Sequence, residues 1–172
     1  MKKISKISSS FLTVAALACI FWMGSYLVRL TLSYQMFDQT ITSKKDYLNE
    51  QNLKAVLTTI NPAVMTTFVL FIAFLIFYFL FLVTSKLNLR RNGWLFIITI
   101  LIIITAPFEI YLMTIDYRIF TNVNYGISNN GDILILIMKR LTVLSSFSLI
   151  ELLCYCAIIF LAIFKPMTRE ES

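Results

Sequence analysis

Four long apolar segments dominate this sequence and limit what the chain can fold into. Residues 7–28 and 55–85 carry no charge, 92–108 carry none, and 141–164 are interrupted only by Glu151. A helix of about 20 apolar residues crosses the roughly 30 Å hydrocarbon core of a bilayer. Apolar residues make up 59% of the 172, above the range of about 45–50% that is typical of soluble domains. The pattern therefore predicts an all-α integral membrane protein.

Local signals set the boundaries of four predicted membrane spans. Asn61 and Pro62 are typical of a helix cap followed by a first-turn proline, so the second span is predicted to begin there. The third span must extend past Glu109 to cross the bilayer, and Pro107 is expected to kink its outer end. The first apolar run is longer than the core of a cleaved signal peptide. The predicted spans are about 7–28, 62–84, 93–114 and 141–164, within one domain of 1–172.

The distribution of basic residues predicts the orientation of the bundle. With the N-terminus inside, the cytoplasmic segments hold 8 Lys and Arg in 27 residues, whereas the opposite side holds 7 in 59. Lys and Arg are concentrated in short cytoplasmic loops. Both termini are therefore predicted to be cytoplasmic, in a membrane of the bacterial inner (plasma) type. The net charge of +6 is then mainly a signal of topology, and no nucleic-acid partner is expected.

The first outer loop is predicted to contain an additional helix. Residues 43–46 fit a capping box, and the apolar residues that follow recur at helical spacing: Leu53, Val56, Leu57 and Ile60. This pattern predicts an amphipathic helix over about 44–60, lying on the membrane surface or covering the bundle. In the second outer loop, an apolar run over 133–138 could begin a long fourth helix or form a short strand.

The sequence also excludes several kinds of site. It contains no histidine, which removes His-ligated haem and zinc and the Ser-His and Cys-His nucleophile pairs. The three cysteines lie in apolar stretches and form no CxxC pair. We therefore expect no metal and no cofactor. The two tryptophans, Trp22 and Trp94, are expected to face lipid or the membrane interface.

Glu151 is the polar residue that the pattern singles out. It lies 11 residues after Arg140 and 14 before Lys165, so a span over 141–164 places it near the bilayer midplane. A charge there costs at least about 2.5–3.5 kcal/mol on insertion scales. Helical spacing places Ser145 and Ser148 on the same face. An outward-opening crevice is predicted to contain these residues together with groups nearer the outer end, Glu109, Asp116, Arg118 and Arg140.

Two interpretations of Glu151 remain open at this point. It could be the centre of a binding or proton-accepting site, or a protonated, hydrogen-bonded residue that holds helices together. The serines could equally serve close helix packing. Glu109 could be an interfacial acid paired with Arg118 or Arg29.

Three functions are compatible with these features. The first is a non-enzymatic accessory or assembly subunit, or a binder of an apolar or amphipathic small molecule, with the lipid bilayer and possibly other membrane subunits or further copies of the chain as partners. The second is a proton- or cation-coupled transporter or channel component that uses Glu151. The third rests on the order of features over about 25–120. A helical loop that ends in Asn61-Pro62 is followed by a basic turn, and the third span is followed by Asp116-Tyr-Arg118. This order resembles that of the anthrone-oxygenase-like four-span proteins. That resemblance implies a small membrane oxidoreductase.

Overall fold

Five α-helices make up the part of the chain that the computed structural model describes, which is residues 5–38, 44–45, 48, 50–85, 87–89, 92–125, 130–143 and 147–166. They are α1 (Lys6–Gln35), α2 (Glu50–Ser85), α3 (Gly93–Tyr125), α4 (Asn130–Thr142) and α5 (Phe147–Phe164). Helix α1 begins at an N-cap, Ser5, whose side chain accepts a hydrogen bond from the backbone N–H of Ser8. Such a cap satisfies one of the free donors at a helix start.

Four of these helices are long and apolar enough to cross a membrane: Lys6–Gln35, Asn52–Ser85, Gly93–Tyr125 and Phe147–Phe164. The shortest has 18 residues and spans about 27 Å. Large apolar side chains face outwards on each helix, among them Phe21, Phe79, Ile103 and Leu153, which are all more than 60% exposed. Such a surface is unfavourable in water but suits lipid. These are the features of a helical membrane protein.

The spanning helices alternate in direction. Phe11 near the start of α1 contacts Phe77 near the end of α2. Arg29, towards the end of α1, pairs with Asp116, towards the end of α3. Lys165, just after α5, lies over the ring of Trp94 at the start of α3. The α1 C-terminus, the α2 N-terminus and the α3 C-terminus therefore share one end of the bundle, which we call the α4 end.

Aromatic side chains fill the middle of the bundle. The Trp22 ring lies 4.5 Å from that of Tyr155 and 5.2 Å from that of Phe71, centroid to centroid. Trp22 and Trp94 are buried, so the expectation that they face lipid was wrong. Aromatic pairs at these distances add stability beyond the area that they bury. Such packing holds a helical bundle together in lipid, because apolar helices gain no hydrophobic free energy when they exchange lipid contacts for contacts with one another.

A second apolar cluster closes the α4 end. Helix α4 contributes Ile133, Ile137 and Leu141, spaced four residues apart and all buried. They pack on residues that follow α1, on residues just before and within the start of α2, and on one residue near the end of α3: Met36, Phe37, Leu48, Leu53, Leu57, Ile60 and Val123. One face of α4 thus covers the interior of the bundle.

The structure has no separate helix over 44–60 among its described residues, because α2 runs without interruption from Glu50 past Pro62. The predicted apolar face exists, with Leu53, Leu57 and Ile60 buried, but it belongs to α2. That face continues beyond the exposed proline into Thr67 and Phe71. A proline inside a helix costs about 3 kcal/mol or more. Continuous packing on both sides of Pro62 offsets this cost.

The last two spans also differ from the predicted bounds. Helix α3 extends to Tyr125 instead of ending near 114, because buried residues recur at helical spacing through Ile115 and Val123. The predicted span over 141–164 is divided between α4, which ends at Thr142, and α5, which begins at Phe147. The additional helix of the fold is therefore α4, in the second connection at this end.

Candidate functional site

A charged cluster lies buried at the α4 end of the bundle. Helix α1 places Arg29 on the face that also carries Trp22 and Tyr26, at helical spacing. The Arg29 guanidinium donates to the carboxylate of Asp116, and its Cζ lies 5.1 Å from the centre of the Tyr26 ring. Arg140 of α4 reaches the same carboxylate, with its Nε 3.3 Å from both oxygens. Asp116 thus joins α1, α3 and α4.

Glu109 lies one layer deeper, two helical turns before Asp116 on the same face of α3. One of its carboxyl oxygens lies 3.9 Å from Nη2 of Arg29, and the other lies 3.8 Å from Nη2 of Arg140. Glu109 is 0% exposed. Neither oxygen receives a hydrogen bond from the described residues. Glu109 is therefore held between two cations at distances longer than hydrogen bonds.

Glu151 of α5 completes the cluster from the other side. It is 0% exposed, its carboxyl group faces and interacts with that of Glu109, and neither oxygen has a donor among the described residues. Because α5 begins at Phe147, Glu151 lies only about 6 Å along the helix from its first residue. It therefore occupies the α4 end of the span and not its middle.

Hydroxyl side chains lie one helical turn before and one turn after Glu151 on α5. Ser148, one turn before Glu151, is buried and adjoins the Tyr26 hydroxyl. Tyr155, one turn after Glu151, has its hydroxyl 3.3 Å from that of Thr105. Helical spacing on α5 thus aligns one serine, one acid and one tyrosine along a single buried face.

The structure brings together five of the seven residues that the sequence singled out: Glu109, Asp116, Arg140, Ser148 and Glu151. Arg118 is exposed and does not belong to the cluster, since it follows Asp116 by two positions and points to another side of α3. Ser145 lies outside the described residues.

Two members of the site, Arg29 and Tyr26, were not among the seven residues that the sequence singled out, although Arg29 was named as a possible partner of Glu109. Arg29 stands at the end of an apolar run, where a basic residue is usually an interfacial flank, and Tyr26 is one of eight tyrosines. Their spacing from Trp22, at i+4 and i+7, was the signal that could have placed all three on one inward face.

The cluster contains one more carboxyl group than it has guanidinium groups. Two guanidinium groups face three carboxyl groups, which belong to Glu109, Asp116 and Glu151. Burial by itself lowers the pKa of Arg140, but the adjacent carboxyl groups of Asp116 and Glu109 hold that pKa above its ordinary value. Because guanidinium groups are not deprotonated in proteins, the two arginines can balance two ionised carboxyl groups, and a third ionised carboxyl would be an uncompensated buried charge. Such charges are costly in a low-dielectric interior.

A small cleft lies over the ion pairs at the α4 end. Its volume is about 40 Å³, enough for about three water molecules. Arg29, Asp116 and Arg140 form its floor, and its walls are mainly apolar, with Leu30, Met36, Leu57, Ile60, Val64, Ile119, Ile137 and Leu141. Across the described ranges, no group of three or more His, Cys, Asp or Glu side chains is arranged to hold a metal ion.

Comparison with known proteins provides no relative. No family model, no curated protein and no solved structure matches the chain. The fold and the site define its class as a helical membrane protein with a buried cluster of five ionisable side chains near one end of the bundle.

Proposed function

We propose that this chain is a non-enzymatic membrane protein that binds a small amphipathic molecule in the cleft at the α4 end. The observation that carries the proposal is the lining of the cleft, where apolar walls stand over a floor of paired charges. Ligand sites typically combine apolar walls with a few placed polar groups. Leu57 and Ile137 would contact the apolar part of the ligand, and the ion pair of Arg29 with Asp116 would receive its polar group.

Binding requires the cleft to open. Sites for small organic molecules usually have volumes of about 300–1,000 Å³, whereas this cleft has about 40 Å³. Helix α4 is the element whose movement would enlarge it, because α4 is short and Ile137, Arg140 and Leu141 form one wall. The contact between Arg140 and Asp116 would then be the link that breaks or lengthens.

The proposed topology determines the side of the membrane to which the cleft opens. Basic residues are densest in the segments at the opposite end of the bundle, which supports cytoplasmic termini and a cleft that opens to the outside of a bacterial inner membrane. A cleft in that position would be in contact with the surrounding lipid, which is itself amphipathic. The many outward apolar residues leave room for contacts with other membrane subunits or a second copy of the chain.

Mass spectrometry of molecules retained by the purified protein in nanodiscs tests this proposal. Ile137→Trp fills the cleft, whereas Ile135→Trp adds the same bulk at an exposed position of the same helix. We expect the wild type and Ile135→Trp to retain one amphipathic species above its abundance in the surrounding membrane, and Ile137→Trp to lose it at least tenfold.

Equal retention by the two variants, or only bulk lipid in the wild type, would contradict a ligand site in the cleft. A melting temperature for each variant separates loss of ligand from loss of fold. The absorbance of a bound flavin or quinone in the same sample would instead favour a small membrane oxidoreductase.

A second candidate function is a proton- or cation-coupled transport component. The excess of one carboxyl group over the guanidinium groups favours it, since ionisable residues within membrane spans frequently lie on ion or proton pathways. A single four-span chain would need to associate with other copies or subunits to build such a pathway.

A further inference from the structure

Glu109 and Glu151 present two carboxyl groups to each other in the interior of the bundle. Both side chains are 0% exposed. The hydrogen bond between Thr105 and Tyr155 fixes the level at which the antiparallel helices α3 and α5 meet, and each glutamate lies one helical turn from that bond towards the α4 end. The two carboxyl groups are therefore placed at the same level, close enough to interact. None of their four oxygens receives a hydrogen bond from the described residues. Two ionised carboxylates can only accept, so in that state they would repel each other. One shared proton converts the same contact into a short, charge-assisted hydrogen bond.

The groups around the pair supply charge but no further proton donor to these oxygens. Arg29 and Arg140 approach Glu109 at 3.9 and 3.8 Å and are themselves committed to Asp116. The described titratable side chains of α2 make other contacts, since Lys54 is exposed to the surroundings and the Tyr78 hydroxyl bonds to Thr99. The charged or titratable groups that interact with the pair are Tyr26 and Arg29 on α1, Asp116 on α3, Arg140 on α4 and Tyr155 on α5.

We propose that Glu109 and Glu151 together form a binding site for one exchangeable proton. With this proton the cluster is neutral, having two guanidinium cations, two carboxylate anions and one carboxylic acid. The proton is held between the facing oxygens of the two side chains. This inference does not depend on the amphipathic ligand proposed above.

Exchange of the proton changes the charge of the cluster by one. On release, the O–H bond of the acid breaks, both electrons stay on the carboxylate, and a water molecule or a buffer base accepts the proton. The guanidinium groups of Arg29 and Arg140 lie between the pair and the cleft, because both also line the cleft. Release leaves a net negative charge that attracts Arg140 towards Glu109, away from its contact with Asp116.

Infrared spectroscopy of the protein in nanodiscs tests the proposal, because a protonated carboxyl group has its own carbonyl stretch and that band shifts in D2O. At neutral pH, we expect wild type to show a band equivalent to one protonated carboxyl per chain. Glu109→Gln and Glu151→Gln should each remove the band, since either change leaves two carboxylates to balance two arginines. Asp132→Asn alters an exposed acid on α4 and should leave the band unchanged.

Absence of the band in wild type at neutral pH would overturn the proposal, as would its persistence in both Gln variants. If the Gln variants fail to fold, Glu151→Asp serves in their place, because it keeps a carboxyl group in an altered position. Its band should then shift in frequency, and an unshifted band would assign the proton to another site.

Discussion

The guanidinium of Arg29 donates a hydrogen bond to the carboxylate of Asp116, 87 positions further along the chain. Both side chains are buried, with 6% and 9% of their surface exposed. The pair connects the first membrane span to the third, and Arg140 joins it from α4. This three-helix junction makes Asp116 the residue on which the geometry of the α4 end depends most directly.

Replacing Asp116 by Asn should strongly destabilise the bundle. The change leaves two buried guanidinium groups without their shared carboxylate, and breaking a buried ion pair from one side costs about 3–5 kcal/mol. Asp132→Asn, at an exposed position, should change the free energy of unfolding by less than about 0.5 kcal/mol. The free energy of unfolding of each variant can be measured with denaturant in detergent micelles. Similar losses for Asp116→Asn and Asp132→Asn would contradict a structural role of the junction.

The double variant Arg29→Gln with Asp116→Asn should be less destabilised than the sum of the two single variants. Each single change leaves an unpaired buried charge, whereas the double change removes both charges of the pair. Residues in direct contact show coupling of about 0.5–3 kcal/mol in such cycles. The same unfolding measurement gives the coupling energy, and additive losses would indicate that the two side chains do not interact.

Glu151→Gln should unfold with a free energy within about 0.5 kcal/mol of wild type, because the amide keeps the shape and the neutral charge of a protonated acid. Glu151→Leu should lose about 0.6–2 kcal/mol, the range of interhelical hydrogen bonds in bilayers. Equal losses for Gln and Leu would contradict a protonated, hydrogen-bonded Glu151. If cells that hold normal amounts of Glu151→Gln lose a growth or transport phenotype, Glu151 is more than a helix contact.

Leu57→Asp should destabilise the protein by at least about 3 kcal/mol, because it places an unpaired charge in the apolar wall at the α4 end. Leu57 is 4% exposed, whereas its neighbour Thr58 is exposed. Thr58→Asp is therefore the matched control and should have little effect. Melting temperatures in detergent distinguish the two, and comparable losses would argue against the packing of this part of α2.

The proposed orientation can be tested with single cysteines in a chain whose native cysteines are replaced by serine. A cysteine at Asn124, near the end of α3, should react in intact cells with a membrane-impermeant maleimide. A cysteine at Asn88, between α2 and α3, should react only after the membrane is opened. Both positions are exposed. Reaction at Asn88 in intact cells would reverse the topology.

The sequence predicted the four apolar helices because their length and composition are local properties. It also predicted that Glu109 and Asp116 line one crevice, which agrees with their position on one face of α3, since seven residues complete two turns. The alignment of Arg140 with both acids depends on the separation of α4 from α5. The apolar pattern over 141–164 contains no proline, and its one charge, Glu151, lies beyond the point of separation. Local signals also placed a helix boundary wrongly at Pro62. A helix cap was predicted there, but tertiary packing continues α2 through the proline.

The dependence of Arg29 on later parts of the chain has a consequence for biogenesis. When α1 and α2 enter the membrane during synthesis, α3, which carries Glu109 and Asp116, the two partners of Arg29, has not yet emerged. The arginine must then stay at the lipid headgroups, where its side chain can reach water by snorkelling. Once the third span brings Asp116 into the membrane, the Arg29 side chain can turn inward and pair with it. The first hairpin can therefore reach its final position only after the third span has been inserted.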